Sequence, residues 1–206
     1  KKGFEYAMIC NPDMQFPQRD YLEKMAVILQ ANPEIAIVAS DILHHDGYHQ
    51  NPIVPDGNWK SSVVGVLKLL LPRKKNDLLD FIDNWQNSHF CYKVSGCCFL
   101  IRLSFAKQIN FFDEYPFLYC EEAILAAQVK RVGAKMFYTA DIHAFHNHIK
   151  QTKGDPRPRI RQWCRSRVYF QKYYTNDPWY GKLGVCCAWR IYSWAMIFIN
   201  SLRRLR

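Results

Sequence analysis

Apolar and polar positions along the chain first predict a strand, a helix and a second strand. Residues 5–10 form an apolar run that ends at the turn-forming triplet Asn11-Pro12-Asp13, and residues 35–39 form another apolar run. Between them, one helical face carries apolar residues at Leu22, Met25, Ala26 and Leu29. This order predicts two parallel strands joined by a crossover helix, with Asp13 at the carboxyl end of the first strand.

Further elements follow in both halves of the chain. Residues 44–58 are rich in Pro, Gly, Asn and His and predict a long binding loop. The remaining patterns predict helices at 62–71, 76–85, 159–174 and 179–205, and strands at 90–103, with Gly96 in its middle, and at 135–138. We therefore expect an α/β domain over residues 1–150, with a mainly parallel sheet and flanking helices, and a helical tail over residues 151–206.

Four acidic residues precede or open a further predicted helix. Asp113 and Glu114 come first, Glu121 and Glu122 stand in the first turn, and Gly133 ends the helix. The positive end of a helix stabilises an exposed carboxylate by about 0.3–1 kcal/mol, so such a pair is ordinary capping chemistry in many proteins. An ionised carboxylate at this position can also accept a proton from a hydroxyl group.

Charge and cysteine content limit the compartment and the partners. The chain has 206 residues and a net charge of +10, and residues 150–206 hold 13 of its 28 Lys and Arg but only two of its 18 acids. A basic segment rich in aromatic residues suits an anionic membrane surface, with Trp179, Trp189 and Trp194 in the interface; packing of this helix on the protein itself is the alternative. Nucleic acid is not expected, because no recognised binding module accompanies the charge. Eight Cys residues without a C-x-x-C pair indicate a reducing, cytoplasmic environment.

Three motifs in a fixed order resemble the family 2 glycosyltransferases of the GT-A fold, notably their rhamnosyltransferase-like branch. The first is Asn11-Pro12-Asp13, which is similar to a variant of the D-x-D motif. The second is the succession of 96–102 (GCCFLIR), 112–114 (FDE) and 117–122 (FLYCEE), and the third is His146 beyond the strand that follows Gly133. This resemblance implies a GT-A-like mixed sheet, a partial Rossmann-like domain.

The same resemblance implies roles for individual residues. Asp13 would coordinate Mg²⁺ or Mn²⁺ on the diphosphate of a nucleotide sugar, with His146 as a further ligand and with Asn11 and Gly96 on the donor side. Glu122 would be the general base, although Glu121 is a rival because the family has aspartate where Glu122 stands. The acceptor side would involve Asp113 and Glu114, for which a capped turn is an equal alternative.

The implied activity is an inverting, metal-assisted transfer of a sugar, with rhamnose as one candidate, to a glycan or lipid-linked hydroxyl in cell-surface polysaccharide biosynthesis. The enzyme would be peripheral on the cytoplasmic face of the membrane. The family's nucleotide-binding half would precede Asn11, so a chain beginning at Lys1 is expected to bind nucleotide weakly or not at all. Two other interpretations are a nonenzymatic remnant that acts as a membrane-surface module and a zinc hydrolase built from His143, His146, His148 and Glu122.

Overall fold

The computed structural model of the protein describes residues 3–71, 82–116, 118–147 and 154–203. These residues divide into two compact units. The first comprises the described parts of Lys1–Pro55, Leu78–Phe112 and Leu125–Ile149, and the second those of Asp56–Asp77, Asp113–Ile124 and Lys150–Arg206. The second unit therefore extends beyond the predicted tail of 151–206, because two earlier segments of the chain pack with the C-terminal helices.

A mixed six-stranded sheet forms the first unit. Its strands are β1 (Tyr6–Cys10), β2 (Met14–Gln15), β3 (Ile35–Leu43), β4 (His89–Cys91), β5 (Cys98–Arg102) and β6 (Lys135–His146). They lie in the order β1-β5-β3-β6-β2, and β4 also pairs with β6. Buried residues of β3, β5 and β6 contribute to two hydrophobic clusters, which lie at the centre of this unit.

Antiparallel pairing predominates in this sheet, so the expectation of a mainly parallel sheet is wrong. Among the described strands, β3 and β6 form the single parallel pair, and the other pairs are antiparallel. Strands β1 and β3 do run in the same direction, but β5 lies between them and is antiparallel to both. A strand–helix–strand pattern predicts that two strands run in the same direction. It does not predict whether they are neighbours, because a later strand can insert between them.

Two of the predicted strands have different limits in the structure. The predicted strand at 90–103 is divided into β4 and β5, and Gly96 lies in the turn between them rather than inside a strand. The two parts separate because they pair with different neighbours, β4 with β6 and β5 with β1 and β3. The strand predicted at 135–138 is longer in the structure, where β6 runs from Lys135 to His146.

Helices α1 (Tyr21–Ala31), α3 (Leu103–Gln108) and most of α4 (Glu121–Arg131) belong to the first unit. The buried face of α1 carries Tyr21, Met25 and Leu29, whereas Leu22, predicted to be buried, is exposed. Tyr21 replaces it because its ring packs in the core while its hydroxyl forms a 2.8 Å hydrogen bond with Ser40 Oγ.

Helices α2 (Trp59–Lys68), α5 (Arg157–Tyr173) and α6 (Trp179–Arg203) form the core of the second unit. Val66, Cys164, Val185, Trp189 and Tyr192 pack together at its centre. Of the predicted helix at 76–85, residues 76–81 lie outside the described residues, and residues 82–85 are not helical.

Helix α6 combines a buried face with an apolar exposed one. By length and composition alone, Trp179–Leu202 is sufficiently long and apolar to cross a membrane, with a mean hydropathy of 1.2. Only 28% of an 18-residue stretch within this segment is buried inside the protein. One face of this helix therefore packs on the protein, and the other is exposed.

Candidate functional site

The first candidate site lies where β1 ends and β2 begins. Asn11 and Asp13 lie in the connection between these strands, and Asn11 is anchored because its backbone N–H donates to Cys97 O at 2.8 Å. Strand β2 then pairs with the end of β6, with Met14 opposite His146. This pairing brings His146, which is 8% exposed, close to Asp13 and Asn11 although 133 to 135 residues separate them in the chain.

The contacts of His146 fix the orientation of its ring. Its Nδ1 lies 2.8 Å from Gln50 Oε1, and because that oxygen can only accept, Nδ1 is the donor of this hydrogen bond. Its Nε2 lies 3.5 Å from Asn11 Nδ2 and 3.3 Å from Asp13 Oδ1. The site therefore presents the Nε2 side of the imidazole beside a carboxylate oxygen.

This donor pair fits a small divalent cation. Two ligands at about 2.1 Å from one octahedral ion lie about 3 Å apart, close to the separation of His146 Nε2 and Asp13 Oδ1. Asp13 is only partly exposed, so a cation would replace some of the water around its carboxylate. Carboxylate oxygens suit Mg²⁺ and Mn²⁺, and a donor diphosphate would supply further oxygens, whereas imidazole is a more typical ligand of transition metals than of Mg²⁺.

Gln50 and Asn51 are the residues of this site that motif reasoning missed. Asn51 is fully buried, and it joins two segments because its Oδ1 accepts from Ser95 N–H at 2.7 Å while its Nδ2 donates to Ser40 O at 3.0 Å. Both residues lie in the loop 44–58, whose composition did predict a binding loop but not which side chains face the site.

Among the described residues, His143 and His146 do not come together as the proposed zinc site requires. His143 Nδ1 lies 3.3 Å from Asp41 Oδ2, and His146 bonds Gln50 and approaches Asp13 instead. In the part of the chain that the structure describes, one group of three possible metal ligands has its ligand atoms within 4.8 Å of one another, namely His44, His45 and Asp46. This group contains neither His143 nor His146. His148 lies outside the described residues.

The second candidate site belongs to the second unit, at the start of α4. As predicted, Glu121 and Glu122 stand in the first turn of this helix. The helix begins abruptly because Tyr119 and Cys120 have left-handed backbones, with φ of 72° and 70°. Residues held in this conformation cost about 1–3 kcal/mol each and cluster at functional sites.

The electrostatic surroundings differ between these acids. Partial burial of its carboxyl raises the pKa of Glu121 even though the residue as a whole is exposed, and the neighbouring charge of Glu122 raises it further. A carboxylate with a raised pKa is a stronger base near neutral pH. Both acids therefore remain candidates for a proton acceptor.

Arg167 of α5 is a charged residue of this unit that sequence reasoning did not single out. Its Nη1 lies 3.3 Å from Asp56 Oδ1, its guanidinium lies 5.9 Å from the centre of the Trp189 ring, and its buried Nε has no hydrogen-bond partner among the described atoms. Burial acts to lower the pKa of Arg167, but Cys120, Asp56 and Glu122 together raise it. A permanent positive charge therefore interacts electrostatically with Glu122.

Asp113 is held by three hydrogen bonds within the second unit. Its Oδ2 accepts from the hydroxyls of Tyr169, at 2.8 Å, and Tyr174, and its Oδ1 accepts from Tyr115 N–H at 2.9 Å. Burial acts to raise the pKa of Asp113, but these hydrogen bonds outweigh it and lower the pKa. Glu114 next to it is exposed.

The predicted site residues thus fall into two groups. Asn11, Asp13 and His146 come together in the first unit, where Gly96 immediately precedes the residue that anchors Asn11. Glu121, Glu122, Asp113 and Glu114 belong to the second unit. Phe117, the first residue of the motif segment 117–122 (FLYCEE), lies outside the described residues.

No protein-family model matches the chain. It is similar to the rhamnosyltransferase WbbL of Escherichia coli (strain K12), with 23% identity over 147 residues, or 69% of this chain and 52% of that protein. It is also similar to the N-acetylglucosaminyl-diphospho-decaprenol L-rhamnosyltransferase of Mycobacterium tuberculosis, with 29% identity over 77 residues, or 37% of this chain and 25% of that protein.

A solved structure gives a likeness in three dimensions. GalNAc-T7 with UDP, GalNAc and Mn²⁺ superposes with a TM-score of 0.51 over 82% of this chain and 32% of that one, at 11% sequence identity. This likeness confirms the predicted GT-A-like α/β fold class. The chain spans about half the length of the E. coli relative and a quarter of the mycobacterial one.

Proposed function

We propose, from the kinship of this chain with the rhamnosyltransferase-like family 2 glycosyltransferases of the GT-A fold, that it belongs to an enzyme that moves a sugar from a nucleotide-diphosphate donor to a hydroxyl. The observation that carries the proposal is the pair formed by Asp13 Oδ1 and His146 Nε2, which lie 3.3 Å apart at the ends of β1 and β6. The names of the relatives favour rhamnose as the sugar and a glycan or lipid-linked acceptor.

On this proposal, Asp13 and His146 hold Mg²⁺ or Mn²⁺ on the donor diphosphate, and Asn11 and Gly96 lie on the donor side. A divalent cation there would neutralise charge on the leaving nucleotide diphosphate. The Mn²⁺ of the GalNAc-T7 structure supports a divalent metal. Within this chain, the hydrogen bond from His146 Nδ1 to Gln50 orients the imidazole so that Nε2 lies beside Asp13.

Glu122 or Glu121 is proposed as the general base. The carboxylate accepts the proton of the acceptor hydroxyl while its oxygen attacks the anomeric carbon, which inverts that centre as the diphosphate leaves. The raised pKa of Glu121 favours this residue, whereas the motif resemblance favours Glu122. Asp113 and Glu114 are proposed on the acceptor side, although the bonds that hold Asp113 favour a structural turn.

Metal binding tests the first part. We expect Asp13→Ala and His146→Ala each to weaken Mn²⁺ binding by about tenfold or more, measured by electron paramagnetic resonance titration of the protein without substrates. Asp20→Ala is the control, because this exposed carboxylate forms its ion pair with Lys24 instead. Unchanged Mn²⁺ affinity in both site variants would contradict the metal assignment.

Transfer kinetics test the second part. One of the two variants Glu121→Gln and Glu122→Gln removes the proposed base, and that variant should lower kcat by about 100-fold or more at unchanged fold. Glu23→Gln, at an exposed position of α1 outside the proposed site, serves as the control. Full turnover in both variants would disprove the assignment. A wild-type chain that binds Mn²⁺ yet never transfers sugar would instead favour the nonenzymatic membrane module.

We also propose a peripheral location on the cytoplasmic face of a membrane, through residues 178–206. The exposed apolar face of α6 and the free thiols of all eight Cys residues are consistent with this location.

A further inference from the structure

A groove of ≈ 400 Å³ lies between α5 and α6 in the second unit. Its lining combines positive charge with aromatic rings and contains no acidic residue. The cations are Arg161, Arg165, Lys172 and Arg190, and the aromatic residues are Tyr115, Tyr169, Tyr173 and Trp194. A concave surface of this composition is suited to a compact anion with apolar material attached to it.

Three of the four cations form one stripe along α5. Arg161, Arg165 and Lys172 are spaced by four and seven positions, so they lie on the same helix face, and all three are exposed. Arg190 faces them from α6 and is also exposed. Among the described residues, no carboxylate forms an ion pair with any of the four. Four like charges without internal neutralisation attract an anion from outside.

An exposed apolar stripe borders the groove. Seven exposed residues of α6 recur at intervals of three and four and lie opposite its buried face. They are Tyr180, Leu183, Cys187, Ile191, Trp194, Phe198 and Leu202. Trp194, which is 79% exposed, belongs both to this stripe and to the lining of the groove. The cations and the apolar stripe therefore form one continuous surface.

We propose that this groove binds the phosphate of an anionic lipid headgroup, with the apolar stripe of α6 in the adjoining acyl boundary. Charge complementarity selects the phosphate, and continuity with the stripe selects a lipid rather than a soluble phosphate. Trp194 lies at the junction, as amphipathic rings do at the headgroup level of a membrane. The inference rests on the proposed peripheral location and extends it from residues 178–206 to three residues of α5.

Vesicle binding of the full-length chain tests this inference. The double variant Arg161→Gln/Arg165→Gln should bind vesicles of phosphatidylcholine with phosphatidylglycerol about tenfold or more weakly than the wild type, in co-sedimentation at physiological ionic strength. The matched control is Lys60→Gln/Lys68→Gln, which removes two exposed charges of the same unit outside the groove and should change binding less than twofold. Circular dichroism verifies that both variants are folded.

The outcomes separate the possible occupants. Binding that requires phosphatidylglycerol, resists soluble glycerol phosphate at equal phosphate concentration and falls only in the groove variant supports the proposal. An equal loss in both double variants overturns it, because binding would then follow net charge alone. A groove variant with unchanged vesicle binding but weakened binding to a short single-stranded RNA overturns it in favour of nucleic acid. None of these binding measurements uses a sugar donor. A negative result would therefore contradict the proposed lipid site without bearing on the proposed transferase activity.

A second variant tests the apolar contact. Trp194→Phe should lose part of the quenching of tryptophan fluorescence by lipids brominated in the acyl chain, while Trp85→Phe, an exposed tryptophan of the first unit, should leave it unchanged. Equal quenching in the wild type and the Trp194 variant would show that Trp194 does not enter the acyl boundary, which contradicts the proposed orientation.

Discussion

His146 shows how one side chain outside a motif controls a candidate ligand. Gln50 accepts a hydrogen bond from Nδ1 at 2.8 Å, which orients the ring so that the proposed metal ligand Nε2 lies beside Asp13. We expect Gln50→Leu to weaken Mn²⁺ affinity by about tenfold or more without unfolding the chain, since outer ligands orient the imidazole. Titration by electron paramagnetic resonance measures this effect, with the exposed Gln15→Leu of β2 as the control. Equal affinity in Gln50→Leu and wild type would refute the orienting role.

Asp113 predicts a pH dependence of stability. Its folded-state pKa is lowered below the ordinary 3.8, so its contribution is present above that value and is lost as pH falls through the folded pKa. Asp113→Asn should therefore destabilise the protein by about 1–3 kcal/mol near neutral pH, and the difference from wild type should shrink in acid. Denaturant unfolding at several pH values measures it. Glu114→Gln is the control, and a difference independent of pH would contradict the prediction.

The sequence motifs indicated single candidate residues, but they did not indicate which side chains contact those residues in the folded protein. Asp13 and His146 could be singled out because short patterns surround each of them, and the structure does bring them together. Arg167 had no such signal, since it is one of many arginines in a basic segment. Its distinction lies in Asp56 and Trp189, which only folding places beside it.

At the scale of elements, two glycines of α6 give opposite predictions. A Cβ at Gly181 would lie 2.7 Å from Cγ of Trp59 in α2, whereas a Cβ at Gly184 would make an ordinary 3.9 Å contact with Val63. Gly184→Ala should therefore stabilise by about 0.5–1 kcal/mol through helix propensity. Gly181→Ala should destabilise, because the rigid indole cannot move away without disturbing α2.

Urea unfolding of the two alanine variants measures this difference, and each serves as the control for the other. If Gly181→Ala were as stabilising as Gly184→Ala, the close packing of α6 on α2 would be incorrect. The limits of α6 followed from its apolar pattern. Its contact with α2 did not, because α2 and α6 are far apart in the sequence.

At the scale of the whole molecule, the eight thiols should divide into two classes. Cys10 and Cys187 are exposed, whereas burial raises the pKa of Cys91, Cys98 and Cys120 to about 12. Burial also raises the pKa of Cys164 to about 11. Because the thiolate is the reactive form, we expect about two fast-reacting thiols with an aromatic disulfide reagent at about pH 8, and eight in denaturant.

The variant Cys10→Ser/Cys187→Ser controls this assay and should show no fast phase. Fast reaction of more than two thiols in the wild type would mean that the buried thiols are accessible, contrary to the described burial.

The sequence by itself determined the fold class, the positions of most helices and strands, and the family resemblance, because periodicity, turn residues and ordered motifs are local signals. The tertiary structure decided which strands are neighbours and which residues surround each candidate ligand. Strand β5 inserts between β1 and β3, and the end of β6 meets the connection after β1. Contacts between segments more than a hundred residues apart depend on pairing and packing, which no local pattern encodes.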